Sequence, residues 1–402
     1  MHIDGRPRSS ESQGNARRFS IRRQLRPRQA RIADRGLRDY HRAAPTPDPE
    51  EIRVQIGILG FKFTGKTTLF NAVTGASLPT GQGGVEPHLA VGRIPDPRLE
   101  RLTAMFNPKR EVHATVEWVD VPGFEPSGAA GPGEGTRFLE HARRVDALAQ
   151  VVRCFDNDFE TPDPLAEIES LALELVLADL QVVENRIDKL AKEKQRKGKN
   201  DQPLEPPLME RFQATLSDGK PLRDLELNAD ERKLTSGFSL LTLKPLILVL
   251  NGDEGGVPQD VLAAAAATGA EVVDLCAKVE AELAELSPQE RSEFLADLGI
   301  AEPAAHRMVR SAYRALGLHS FFTVGEDECR AWTLRRGALA PEAAGVIHSD
   351  LERGFIRAET VSYEDLIAAG GLAEAKKLNK LRLEGKSYEV RDGDVLNIRF
   401  SV

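Results

Sequence analysis

The chain holds only three cysteines among 402 residues, Cys154, Cys276 and Cys329, far apart and odd in number. That pattern argues against a disulfide framework and fits a reducing cytosol. No apolar stretch approaches bilayer-spanning length and no signal-peptide core follows the N-terminus, so a cytoplasmic protein without a membrane partner is expected. Metal-ligand spacing of Cys and His is absent as well. A uniformly basic surface is also lacking. Net charge is −8, yet residues 1–50 carry 12 Arg against 6 acids, leaving 42 basic against 56 acidic residues in the remainder. An acidic body excludes a general nucleic-acid coat and nothing specifies DNA; any RNA contact must come from local basic patches. Residues 1–50 lack apolar periodicity and are rich in Arg, Ser, Gln and Pro, the composition of a disordered extension. A basic RNA-binding arm and an organellar presequence are both open readings, although scattered acids weigh against the presequence. A loose tail, or a translation start placed too early, fits the composition better.

What the chain does contain is Gly60-Phe-Lys-Phe-Thr-Gly-Lys-Thr67, a full G-x-x-x-x-G-K-S/T phosphate loop. It follows the apolar run Val54–Leu59 and precedes a helical pattern over Thr68–Thr74. A strand thus delivers the chain to a turn whose backbone N–H groups cradle phosphates at a helix N-terminus. Gly60, Phe61, Lys62, Phe63, Thr64, Gly65, Lys66, Thr67 and Thr68 are therefore candidate nucleotide contacts. Lys66 suits the β- and γ-phosphates, and the Thr67 hydroxyl suits a Mg²⁺ shell. A second metal-side group is needed at the end of another buried strand. Val116-Glu-Trp-Val-Asp120, followed by Val-Pro-Gly123, supplies it. Asp120 can hold Mg²⁺ through water, and the N–H of Gly123 can face a γ-phosphate, which makes Lys66 and Gly123 the catalytic candidates.

Further apolar runs at Leu148–Val152, Leu246–Leu250 and Val272–Leu275 alternate with helical patterns. They predict an open, mostly parallel α/β sheet with helices on both faces and the site at the carboxyl ends of its strands. Asn251-Gly-Asp-Glu254 follows one run, and Cys276-Ala-Lys278 the next. Guanine presents adjacent donors that suit the Asp of an N-K-x-D element. Here Glu254 stands at the Asp position and Gly252 at the Lys position, so adenine fits better. A GTP-preferring site is the alternative.

These residues resemble the Obg-like ATPases, or YchF family, over about residues 51–402. The resemblance rests on the phosphate loop and on Gly92-Arg-Ile-Pro-Asp-Pro-Arg-Leu99, Gly133-Glu-Gly135, Phe138-Leu-Glu140 and Val151-Val-Arg-Cys-Phe155. It continues through Leu241–Pro245, Asn251–Glu254, Cys276–Lys278, Arg330-Ala-Trp-Thr333, Ala343–Asp350 and Gly354–Ala358. It implies a P-loop G domain interrupted by a helical coiled-coil arm, then an α+β β-grasp (TGS) domain. It also implies ATP preferred over GTP, association with ribosomes, and base-side contacts at Asn251, Glu254, Cys276 and Ala277. A hydrophobic residue replaces the catalytic Gln after D-x-x-G in the family, and Phe124 occupies that place. Three departures stand out. Phe63 replaces an Asn that helps hold an activating K⁺; the switch Thr before Glu86-Pro87 is Gly84, unless Thr80 takes over; and Asn157–Pro164 lacks a family His. These changes leave phosphate binding intact and remove groups that position water or neutralise charge. A divergent member is expected, with slow or conditional hydrolysis or, alternatively, a non-hydrolysing nucleotide-gated module.

The expected organisation is a basic extension over 1–50, a G domain over 51–163 and 244–318, the arm over 164–243, and the β-grasp domain over 319–402. The arm rests on Leu173, Val176, Leu180, Val183, Ile187 and Leu190 at 3–4 spacing, a seam for a returning helix around Leu208, Phe212 and Leu216. Its tip, Lys189–Lys199, has six basic residues against one acid. It is a solvated hairpin or a contact for ribosomal RNA phosphates. Asn228-Ala-Asp-Glu231 reads as a capping arrangement opening a helix that carries Leu234, Phe238 and Leu241. In the last domain, Leu396, Ile398, Phe400 and Val402 alternate as a half-buried strand after a turn at Asp392–Asp394. His348 and Trp332 read as packing or hydrogen-bonded residues. A monomer is expected.

Overall fold

Runs that are apolar at nearly every position need cover on both faces of a sheet. The computed structural model describes residues 54–81, 86–124, 134–156, 161–197, 202–297, 300 and 302–401; the extension over 1–50 and Gly84 lie outside them. In chain order come β1 (Gln55–Leu59), α1 (Lys66–Thr74), β2 (His88–Arg93), α2 (Pro97–Phe106), β3 (Arg110–Val112), β4 (Thr115–Asp120), α3 (Glu134–Arg144) and β5 (Ala147–Arg153). The arm comprises α4 (Pro164–Lys197), α5 (Glu205–Ser217) and α6 (Ala229–Thr235). Then follow β6 (Leu246–Asn251), α7 (Gln259–Ala267), β7 (Glu271–Leu275), α8 (Ala277–Glu285), α9 (Pro288–Asp297) and α10 (Ala304–Ala315). The last region contains β8 (Leu318–Val324), β9 (Glu328–Arg335), α11 (Ala340–Ile347), β10 (Phe355–Ser362), β11 (Arg382–Glu384) and β12 (Asp394–Phe400), with short helices between. Among the described residues no helix is long and apolar enough to cross a membrane.

The first sheet runs β2-β4-β1-β5-β6-β7, parallel except for β2, which is antiparallel to β4. This is the P-loop α/β sheet. Its central strands β1 and β4 end at the phosphate loop and at Asp120. The second sheet runs β11-β10-β12-β8-β9-β3. A β8–β9 hairpin, β12 parallel to β8 and β10 antiparallel to β12 make the β-grasp core. Its sixth strand is borrowed: β3, from between β2 and β4, pairs in parallel with β9 through Arg110–Glu328, Glu111–Cys329 and Val112–Arg330.

The motif Gly92–Leu99 explains that docking. Asp96 caps α2 by accepting from Arg98 N at 3.0 Å, and Pro97 occupies the first helical position, where no N–H is needed. The Arg98 guanidinium then pairs with Asp96 at 2.8 Å and Asp392 at 3.0 Å, lying 5.2 Å from the Phe322 ring centroid. Leu99 and Leu102 on the same helix are fully buried. They belong to one apolar cluster that runs without a break from Ile56 and Val116 in the first sheet to Phe322, Ala331 and Val395 in the second.

The arm departs from expectation at its base. Val176, Val183 and Leu190 are buried against Leu208, Phe212 and Leu216, but Leu173 is 55% exposed. There α4 turns a different face inward, with Leu171 and Leu175 packed on the G-domain cluster of Val121, Phe124 and Leu148. The capping box at Asn228 and Glu231 forms, with bonds of 2.9 and 3.0 Å. Its helix, however, stops at Thr235 and gives way to a 3₁₀ turn over Ser236–Phe238, which Ser239 ends in a left-handed conformation (φ 49°). In β12 the expected alternation also fails: Val395 and Leu396 are both buried and Phe400 is 44% exposed, since the strand starts between two cores and ends beyond them. Trp332 stacks on Phe321 and donates to Thr323 Oγ1 at 3.0 Å. His348 Nδ1 accepts from Asp350 N at 3.1 Å.

One buried carboxylate fixes the arm to the G domain. Asp179 of α4 accepts from Leu241 N (3.0 Å), Thr242 N (2.7 Å), Thr242 Oγ1 (2.8 Å) and Arg143 Nη1 (3.0 Å). Substituting Asp179→Ala leaves two buried N–H groups without their acceptor and takes one of three acceptors from the Arg143 guanidinium. It should lower the stability of the intact chain to urea by about 3–5 kcal/mol. A loss below about 1 kcal/mol would show that water replaces the carboxylate.

Candidate nucleotide-binding site

The phosphate loop is shaped by what packs behind it. Thr64 is buried and its hydroxyl donates to the Phe61 carbonyl at 3.1 Å. Gly65 has φ 92°, and a Cβ there would lie 2.3 Å from Asn251 Nδ2, so only glycine lets the loop close on β6. Asn251 is buried; its Nδ2 donates to Thr64 O at 2.8 Å and its Oδ1 accepts from Ala277 N at 2.8 Å. One amide thus ties the loop to the start of α8.

On the open side, the cleft is lined by Lys62, Phe63, Gly65, Lys66, Thr67, Thr68, Asp120 and Gly123. Lys66 is buried and its ammonium donates to the Phe61 carbonyl. Burial lowers its pKa to about 8, opposed by the Asp120 and Glu167 carboxylates. Thr67 Oγ1 donates to Asp120 Oδ2 at 2.8 Å, while Asp120 Oδ1 is buried and takes no hydrogen bond among the described residues. Burial raises the Asp120 pKa, against the Thr67 hydrogen bond and the charges of Lys66 and His88. A hydroxyl and an orphaned carboxylate oxygen side by side are a hard-donor pair that fits Mg²⁺.

The other expected residues take different positions around this cleft. Phe61 packs edge-on against Phe124 at 5.2 Å, and Phe124 also meets Phe138 at 5.1 Å. Phe124 is therefore buried and does not line the cleft. Phe63 is 64% exposed in a left-handed conformation (φ 62°). Cys276 precedes α8 without a side-chain capping bond. Glu254 is exposed and lies 3.6 Å from Lys278. At Gly252 a Cβ would meet Gly256 O at 2.9 Å, so the turn leaves no room for the Lys of an N-K-x-D element. Thr80 lines the cleft, whereas the switch position Gly84 lies outside the described residues, as do residues 157–160.

Sequence reasoning missed His88 and Glu86, which also line the cleft. The His88 position follows from β2 pairing antiparallel to β4, which sets it opposite Asp120. It also missed Glu167, which accepts from Arg153 N at 3.0 Å and lies behind Lys66 at the start of the arm. No local pattern links residues 66 and 167.

The C-terminal family model YchF-GTPase_C, described as a protein of unknown function (DUF933), matches residues 318–401. The model MMR_HSR1, a 50S ribosome-binding GTPase, matches residues 55–186. The chain is 42% identical over 362 residues to the ribosome-binding ATPase YchF of Bacillus subtilis (strain 168), covering 86% of this chain and 99% of that protein. The chain belongs to the YchF family. Similarity extends to the Obg-like ATPase 1 of Oryza sativa subsp. japonica, at 34% identity over 87% of this chain and 92% of the relative. Among solved structures, the Schizosaccharomyces pombe YchF GTPase matches with a TM-score of 0.77 and 28% identity, covering 86% of this chain and 98% of that one.

Because Asn251 joins the phosphate loop to α8, Asn251→Ala in this YchF-family chain removes both links inside the protein. We expect nucleotide affinity to fall roughly 10- to 100-fold in titration with a fluorescent analogue. A change below about twofold would show that the loop keeps its shape without the amide.

Proposed function

We propose that this chain is a cytoplasmic, monomeric, Mg²⁺-dependent ATP-binding protein that hydrolyses ATP slowly or conditionally and uses its nucleotide state to tune association with the ribosome. The observation that carries this reading is the Thr67–Asp120 pair, with one buried carboxylate oxygen unsatisfied, beside the buried Lys66. Lys66 binds the β- and γ-phosphates, and the backbone of Gly60–Thr68 cradles the chain of phosphates at the N-terminus of α1. Thr67 and Asp120 would hold Mg²⁺, which would supply charge neutralisation to the bound phosphates. Gly123 offers its N–H towards the γ-phosphate. Asn251 and Ala277 hold the base side of the loop in place. The closed turn at Gly252 and the outward Glu254 support adenine over guanine.

Titration with labelled ATP and GTP analogues tests this directly. ATP should bind tighter than GTP, and EDTA should weaken binding at least tenfold, on the order of the loss when a charge-neutralising ion is withdrawn. Tighter GTP binding would overturn the base assignment, and EDTA-insensitive binding the metal assignment. A second reading, a nucleotide-gated module without hydrolysis, draws on Phe63 and on the burial of Phe124. Phosphate release that Lys66→Ala abolishes would remove it.

The ribosome part of the reading draws on the basic tip of the arm and on relatives described as ribosome-binding ATPases. Reversing charge at Lys194, Arg196 and Lys197 should weaken co-sedimentation with ribosomes and flatten its salt dependence by about one unit of slope per lost phosphate contact. Unchanged sedimentation would make the tip an ordinary solvated hairpin.

A further inference from the structure

We propose that Lys62 is the built-in cation that meets the charge developing on the γ-phosphate during ATP hydrolysis. Transfer of a phosphoryl group to water spreads negative charge over its non-bridging oxygens, and a positive group placed there in cis accelerates the reaction. Among the described residues lining the cleft, the groups able to carry positive charge are Lys62, Lys66 and His88. Lys66 is buried at the back of the loop with its ammonium on the Phe61 carbonyl. His88 stands at the Asp120 end of β2, on the metal side. Lys62 occupies the remaining wall. Its N, Cα and Cγ lie 3.1, 3.0 and 2.8 Å from where a Cβ on Gly123 would sit, so its stem runs along the glycine whose N–H is assigned above to the γ-phosphate.

The neighbouring side chains offer no substitute. Phe124 is packed between Phe61 and Phe138, and the exposed Phe63 has no oxygen with which to hold a monovalent cation. A lysine is a flexible, strongly charged donor suited to such a task. In the step itself a water oxygen bonds to the γ-phosphorus, the bond to the bridging oxygen breaks, its electron pair leaves with ADP, and the water's proton passes to the released phosphate. Lys62 donates hydrogen bonds to the equatorial oxygens, over which the transition-state charge is spread.

This assignment rests on the ATPase reading above, and the measurements separate the two. In the full-length chain, Lys62→Ala and Lys62→Arg are compared for binding of a labelled ADP analogue with and without aluminium fluoride, and for turnover in Na⁺ and in K⁺. We expect Lys62→Ala to bind ADP within about threefold of the parent and to lose the tightening that aluminium fluoride confers. Its turnover should drop about 100-fold, the scale of one lost transition-state donor. Lys62→Arg should restore part of both, and parent turnover should be the same in Na⁺ and K⁺. Unchanged or faster turnover in Lys62→Ala, or undiminished fluoride tightening, overturns the assignment. A parent chain that binds ATP without turnover or tightening overturns it while leaving ATP binding standing. A parent that binds no nucleotide overturns both.

Discussion

Helix α2 lies between two sheets, and its burial constrains everything around the cleft. Leu99 and Leu102 give it one apolar face that closes a cluster extending from Ile56 beneath the first sheet to Val395 beneath the second. Two bodies of the chain therefore share a core, which dry packing makes costly to pull apart. Arg98 adds direction to that contact by pairing with Asp96 on its own helix and Asp392 on the other body. The strand that follows, β3, extends the β-grasp sheet by parallel pairing with β9. Both features sit between β2, which brings His88 to the cleft, and β4, which ends in Asp120. A displacement of either strand would have to be carried by α2 and β3.

The opposite exit from the cleft is tied elsewhere. Beyond Gly123 and Phe124 the chain reaches α3, whose Arg143 bonds Asp179, Ala178 O and Ser239 O. Asp179 also receives the N–H groups that start the return to β6. A charge network of this kind, built on a fully buried Asp179 carboxylate with several donors, tolerates one arrangement and penalises intermediates. The arm follows α3 through that network, while Glu167 in its first turn stands behind Lys66. The phosphate site thus has separate mechanical connections to the arm and to the β-grasp domain.

How much of this could be read beforehand depended on whether the determinant was local. The phosphate loop, the Asp120 strand, the apolar runs and the Asn228–Glu231 capping box are each written within a few consecutive residues. Their physics is equally short-ranged: a turn, a helix end, a buried strand. The pairing of β3 with β9 joins residues more than two hundred positions apart and leaves no trace in three polar-leaning residues. Spacing alone puts Leu173 in the seam, but α4 contacts two different cores along its length and must present two different faces. Phe124 follows Gly123 directly in the chain, yet only the packing partners Phe61 and Phe138 reveal that its ring turns inward.

Within the phosphate loop itself, burial divides the residues by task. Thr64 and Lys66 are enclosed, and Gly65 closes against Asn251, so these positions are bound to the shape of the loop. Lys62 and Phe63 are exposed on its outer side. A side chain there adds little to the packing that folds the domain, because it removes almost no apolar area from water on folding. Its identity acts instead on whatever enters the cleft. Phosphate binding, built from buried contacts and backbone N–H groups, is thereby insulated from the chemistry of positions 62 and 63. The proposed phosphoryl transfer is not, since it would depend on charge placed at the surface of the cleft.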